Sequence, residues 1–153
     1  MEYDTEGHLV VMKRSESDGE ITNITYKDGD VVKTSTRYVA SGDLNGDGII
    51  DSNDEWEYSA AIDYTTDNIT APIENKGCLM LFDEILDVDM DEMIYAYYGG
   101  MLGKATKHLP LVGHYTYNGE DSVSDMYFTW TLNSDSYPTE LVVKDQWDEY
   151  RCT

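Results

Sequence analysis

The sharpest chemical pattern in the chain is Asp43-Leu44-Asn45-Gly46-Asp47-Gly48-Ile49-Ile50-Asp51-Ser52-Asn53-Asp54. Asp43, Asn45, Asp47, Asp51 and Asp54 place oxygen-bearing side chains along one short loop, and the Ile49 backbone carbonyl can supply a further oxygen. Calcium takes about six to eight hard oxygen ligands, and alternate residues of a curled loop can all point inward. Gly48 permits the sharp turn after Asp47. Ile50 is the apolar residue that would tether the loop to the core, and Asp54 would close the shell from the far side. Without an ion the carboxylates repel one another, so the predicted cofactor is Ca2+, bracing a hairpin. The competing reading is an acidic, Gly-rich turn that binds nothing.

Other residues carry less specific chemistry. His8, His108 and His114 come with no Ser or Cys nucleophile motif, so surface or turn positions are expected and no catalytic residue is assigned. Paired carboxylates could hydrolyse glycosides, but among 31 Asp and Glu residues no pair stands out. Met80, Met90, Met93, Met101 and Met126, with the tyrosines, could line an adaptable apolar pocket; core packing is the plainer reading. Cys78 and Cys152 fit no metal spacing, which leaves one disulfide or, preferably, two buried thiols.

The elements that must position these groups are mainly strands. Ile21 to Tyr26 and Val31 to Val39 flank Lys27-Asp28-Gly29-Asp30, whose Asp-Gly pair is a hairpin turn signal. Trp56, Tyr58, Ala60, Ile62 and Tyr64 occupy every second position, the period of a strand with one buried face. Met126, Phe128, Trp130 and Leu132 alternate likewise, Asn133 to Ser136 turns, and Thr139 to Val143 returns. In the middle, Met90, Met93, Ile94, Tyr97 and Met101 recur at three- and four-residue steps, which predicts an amphipathic helix. The fold class expected from these patterns is α+β and mainly β, antiparallel hairpins around a central helical insertion, with residues 1–153 as a single domain.

Composition narrows the partners. The chain of 153 residues has a formal charge of −21, a field that repels phosphate backbones and anionic lipid heads and argues against nucleic acid. Thirteen Tyr, three Trp and two Phe oppose the reading of an acidic disordered chain. No apolar run approaches the roughly 18 residues of a membrane-spanning helix, and the start lacks the basic and apolar regions of a signal peptide.

The 43–54 loop is of EF-hand type, with Asp54 in place of the usual Glu, and by itself resembles a dockerin repeat. Dockerins carry two such repeats, each followed by a helix. The second candidate here, Asp87-x-Asp89-x-Asp91, has Glu92 where Gly is needed and Tyr98 where the closing carboxylate belongs. A dockerin-like module reading a partner protein is therefore the alternative function.

A wider resemblance rests on Asn75-Lys76-Gly77-Cys78, on Tyr95-x-Tyr97-Tyr98-Gly99-Gly100-Met101-Leu102-Gly103 through Pro110, and on Trp130 to Leu141 with Tyr137-Pro138 inside it. Together these resemble a domain-of-unknown-function family with a porin-like fold from gut-bacterial envelope lipoproteins. The resemblance implies an antiparallel sheet curved into an open or barrel-like form, packed by a helix. It also implies a periplasmic or surface lipoprotein that binds lipid. The absent leader and lipidated cysteine, with an end at Thr153 inside a strand, point to a trimmed or partial chain. The function expected is a non-enzymatic, exported domain that binds an apolar small molecule or glycan and is stiffened by calcium.

Overall fold

Period-two alternation of apolar and polar residues governs most of the chain, and strands form where it does. The fold is known from a computed structural model that describes residues 1–13, 19–38, 42–43, 45–51, 54–83, 85–88, 94–117 and 124–153. Strands β1 (Glu2–Tyr3), β2 (Leu9–Lys13), β3 (Ile21–Lys27), β4 (Asp30–Tyr38) and β5 (Trp56–Asp63) run as an antiparallel meander. The chain then leaves the sheet through β6 (Ile73–Glu74), α1 (Ile94–Tyr98) and β7 (His108–Leu109). It returns as β8 (Val112–Tyr117), β9 (Ser124–Leu132), β10 (Pro138–Lys144) and β11 (Glu149–Cys152). The nine sheet strands stand in the order β1-β2-β3-β4-β5-β8-β9-β10-β11, while β6 and β7 pair separately.

Local chemistry accounts for the hairpins. Asp28 and Gly29 both adopt positive φ, 55° and 91°, the turn whose twist matches two paired strands. The Asn133 side chain accepts the N–H groups of Asp135 and Tyr137, closing the β9–β10 turn. In register, Thr34 faces Ala60, Ala60 faces Tyr115, and Trp130 faces Leu141, so one face of the sheet is continuous across these strands.

That face is covered by an irregular strap. Phe82, Ile85, Leu86 and Val88 are buried in the same cluster as Ile24, Ala60, Ile62, Phe128, Leu141 and Val143. Each of these side chains larger than Ala60 contributes about 1.5–3 kcal/mol by leaving water. The strap's carbonyls are tied to the sheet: Thr34 Oγ1 donates to Leu86 O and Tyr115 Oη to Ile85 O, both at 2.6 Å.

The α+β architecture expected from the sequence is corrected here in two respects. The central helical insertion is absent from the described residues beyond a single turn at Ile94–Tyr98. Met90 and Met93 lie outside those residues. The turn is ended by a Schellman-type cap in which Gly100 takes φ 68° and the Met101 N–H reaches Ala96 O at 2.9 Å. Tyr95 and Tyr98 are 85% and 78% exposed, so the turn presents these two rings to water, and the strap supplies the buried side chains of this segment. The sheet is also open, with β1 and β11 at opposite edges, so the barrel-like alternative is not realised among the described residues.

The preference for two buried thiols also fails. Cys78, in a turn at φ 51°, and Cys152, on the edge strand, are both free and exposed.

Candidate functional site

In the described part of the 43–54 loop, the side-chain oxygens are taken up by the loop's own backbone amides. Asp43 Oδ1 accepts the N–H groups of Gly46 and Asp47, and its Oδ2 accepts that of Gly48 at 2.7 Å. Asn45 Oδ1 takes the Asp47 N–H and Asp47 Oδ1 takes the Ile49 N–H. Gly46 and Gly48 adopt φ 80° and 86°, conformations that side-chain-bearing residues rarely take. Asp54 is 0% exposed, and its two oxygens accept the N–H groups of Asn45 and Asp51 at 3.0 and 2.9 Å. The far-side carboxylate therefore draws both halves of the loop together.

Two details depart from expectation. Ile50 is 60% exposed and does not anchor the loop in the core; that role falls to Asp54. Among the described residues no three acidic, His or Cys side chains converge where a metal ion could sit. The carboxylates are directed instead at the loop's own amides. The donor set, all oxygen, remains the chemistry of a hard cation. The loop runs directly into β5, with no helix of the kind that follows a dockerin repeat, and Asp89, Asp91 and Glu92 lie outside the described residues.

Beyond Asp54, the core face of the sheet carries a row of aromatics past the end of the strap. Trp56 and Tyr58 on β5 meet Tyr117 on β8 edge-on, with ring centroids 5.2 and 4.8 Å apart, and Tyr38 on β4 meets Tyr58 at 5.9 Å. Alternation exposes Trp56 and Tyr58 to sequence reading. Tyr38 and Tyr117 join them only through strand register.

Between strap and sheet lies a cleft of about 350 Å³ lined by Tyr115, Met126, Tyr150, Asp83 and Asp87. Burial, and then the nearby Asp83 charge, pushes the Asp87 carboxyl above the usual carboxylate range. Burial likewise raises the Tyr115 phenol. Met126 thus meets tyrosines as the sequence allowed. Met101 is exposed, and neither it nor Trp130, whose indole N–H donates to Pro110 O at 2.8 Å, lines this cleft.

Each histidine is held by carboxylate. His8 Nδ1 lies 2.9 Å from Asp4 Oδ2 and His108 Nδ1 lies 2.7 Å from Asp30 Oδ2. His114 lies 2.7 Å from Asp125 and 3.2 Å from Asp63. His8 is buried and closes the β1–β2 turn, where the Asp4 N–H donates to His8 O at 3.0 Å, so it meets the turn alternative and not the surface one. The Asp30 contact joins residues 78 apart in sequence, which no local pattern announces.

The matched family is described as "Domain of unknown function (DUF4595) with porin-like fold", and the match runs over residues 1–140. The chain belongs to this family. Among solved structures it is similar to a porin-like protein from Bacteroides vulgatus, with a TM-score of 0.50 and 16% identity. That similarity covers 92% of this chain and 68% of the other. A porin-like protein from Bacteroides uniformis is 18% identical, over 98% of this chain and 73% of that one, with a TM-score of 0.39. No curated protein matches. No helix among the described residues is long and apolar enough to cross a membrane, which leaves strand-built spans unaddressed.

Proposed function

We propose that this chain is a non-enzymatic, ligand-binding domain of the bacterial cell envelope that takes an apolar small molecule or a glycan between sheet and strap. The observation that carries this reading is the cleft of about 350 Å³ walled by Tyr115, Met126 and Tyr150, with Asp83 and Asp87 as its polar side. Its size lies in the range of small-molecule sites, and rings with a thioether offer apolar, adaptable contact. The envelope placement leans on the family and on the porin-like Bacteroides vulgatus protein of similar fold. The non-enzymatic reading leans on the histidines, whose ring nitrogens, among the described residues, meet carboxylates and not a Ser, Thr or Cys nucleophile.

The same proposal includes a calcium-braced loop. Asp43, Asn45, Asp47, Asp51, Asp54 and the Ile49 carbonyl would hold the ion, which would supply positive charge to a crowded set of carboxylates. A carboxylate oxygen that accepts one N–H keeps lone-pair capacity for a cation.

Mass spectrometry of small molecules that copurify with the full-length protein tests the ligand. A bound molecule lost on Met126→Trp, which fills the cleft, is expected; retention in that folded variant would refute the site. For the loop, calorimetric titration with calcium chloride should give heat with the wild type and none with Asp47→Ala. Saturation near one hundred times Kd should add about 2.7 kcal/mol to stability. No heat with the wild type, or equal heat with the variant, would remove calcium from the proposal.

A further inference from the structure

The cleft of about 350 Å³ between strap and sheet has walls of two kinds. The sheet supplies rings and a thioether. Tyr115 on β8, Met126 on β9 and Tyr150 on β11 lie on the core face, as their pairing with Ala60, Gly113 and Val143 requires. Tyr115 is fixed there. Its hydroxyl donates to Ile85 O at 2.6 Å, and its ring crosses Gly113, where a Cβ would lie 2.6 Å from the ring Cζ. The strap supplies carboxylates. Asp83 follows the buried Phe82, and Asp87 stands between Leu86 and Val88, both 0% exposed. The Leu86 N–H donates to Leu81 O at 3.0 Å and the Val88 N–H to Phe82 O at 2.8 Å, so the backbone that carries both acids is anchored.

The charge at this cleft has one sign. Among the described residues no Lys, Arg or His lines it, and Asp83 and Asp87 accept no hydrogen bond and form no ion pair. Unpaired carboxylates are common in so acidic a chain; the surroundings of Asp87 set it apart. Backbone amides hold Asp4 and Asp145 below the ordinary carboxylate range. No such donor reaches Asp87, and burial, then the Asp83 charge, holds it above that range. Ligands of different charge therefore fare differently. An anion meets two carboxylates. A neutral molecule covers Asp87 and removes more of its water with nothing in exchange. A cation relieves both acids, and the tyrosine rings add attraction, since aromatic faces are negative. Elsewhere in this chain the Lys76 ammonium already lies 5.2 Å from the centre of the Tyr137 ring.

We propose that the occupant of this cleft is an organic cation, a protonated amine carried on an apolar body such as a short alkyl chain. The ammonium group sits between Asp83 and Asp87 against the tyrosine rings, and the apolar body lies along Met126. This inference rests on the reading of the cleft as the ligand site, and narrows its occupant from apolar molecules and glycans in general to amines.

The test is calorimetric titration of the full chain with octylammonium, octanol and octanoate, which share one apolar body. Neutral pH and about 150 mM salt screen long-range attraction to the acidic surface. Octylammonium is expected to bind at least about tenfold more tightly than octanol, as charge-assisted hydrogen bonds imply, and octanoate not at all. Asp83→Asn with Asp87→Asn should erase the difference between ammonium and alcohol. Asparagine tolerates the positive φ of 51° at position 87, so this variant keeps the strap's backbone. The control pair Asp67→Asn with Asp135→Asn removes the same charge from exposed positions and should leave the difference intact. Equal binding of octanol and octylammonium, lost together in Met126→Trp, would overturn the amine and keep the cleft as a ligand site. Binding unchanged in folded Met126→Trp would overturn both, since the probe would then lie elsewhere. No heat with any probe, or a preference undiminished in the Asp83, Asp87 variant, would also overturn the amine.

Discussion

His114 stands on the outer face of the sheet with carboxylates on neighbouring strands, Asp125 on β9 and Asp63 on β5. The hydrogen bond to Asp125, reinforced by that to Asp63, raises its pKa above the ordinary value, while partial burial works the other way. The folded chain therefore binds this proton more tightly than the unfolded chain. The resulting stabilisation is fully present below the ordinary histidine value of about 6.5 and is lost as pH rises through the higher folded value. His114→Gln should lower the urea midpoint below about pH 6 and leave it nearly unchanged near pH 9, a comparison of two denaturation series. Asp4 behaves oppositely. The His8 backbone N–H, chief among several hydrogen-bond donors, lowers it to about 2, so its contribution is full above the ordinary carboxylate value and is lost as pH falls from there through the folded value.

At the scale of elements, strap and helical turn make opposite predictions. Leu86, fully buried under the sheet, should cost about 2–5 kcal/mol when changed to Ala. Tyr95→Ser, on the exposed turn, should change stability by no more than about 0.5 kcal/mol. Guanidinium unfolding of the two variants checks both. These two segments also mark where the sequence is and is not legible. Alternation announced β5 and β9, and Asp28-Gly29 announced its hairpin, because period and turn chemistry are local properties. The Met90-to-Met101 spacing is also local and suited a helix, but Gly99 and Gly100 stop one there. The strap has no period to read, since Phe82, Ile85, Leu86 and Val88 are buried by an irregular backbone with positive φ at Leu81 and Asp87. The loop's cation-type donors were visible as a string, and Gly48 took its expected turn, whereas the anchoring role given to Ile50 belongs to Asp54. The aromatic row and the cleft arise from strand register and the strap's irregular path, which single-chain spacing does not encode.

For the whole molecule, hydrogen bonding should grade protection from centre to rim. Amides of β4, β5, β8 and β9 are paired on both sides, whereas β1 has two residues and all four of β11 are exposed. Native-state hydrogen exchange is expected to be slowest in those central strands and fastest in β1 and β11, and uniform rates would contradict this arrangement. The pairing of β5 with β8 has a further consequence, for how the chain reaches its fold. Every other neighbouring pair in the large sheet is consecutive in sequence, but this one must close the excursion of residues 64–111. Two quick local meanders are thus joined by one slow, non-local event, since closing a long loop must precede any reward from the contacts it brings. The slowest step of folding belongs to that seam, and substitutions at Ala60 or Tyr115 should slow refolding more than those at Ile24 or Val143.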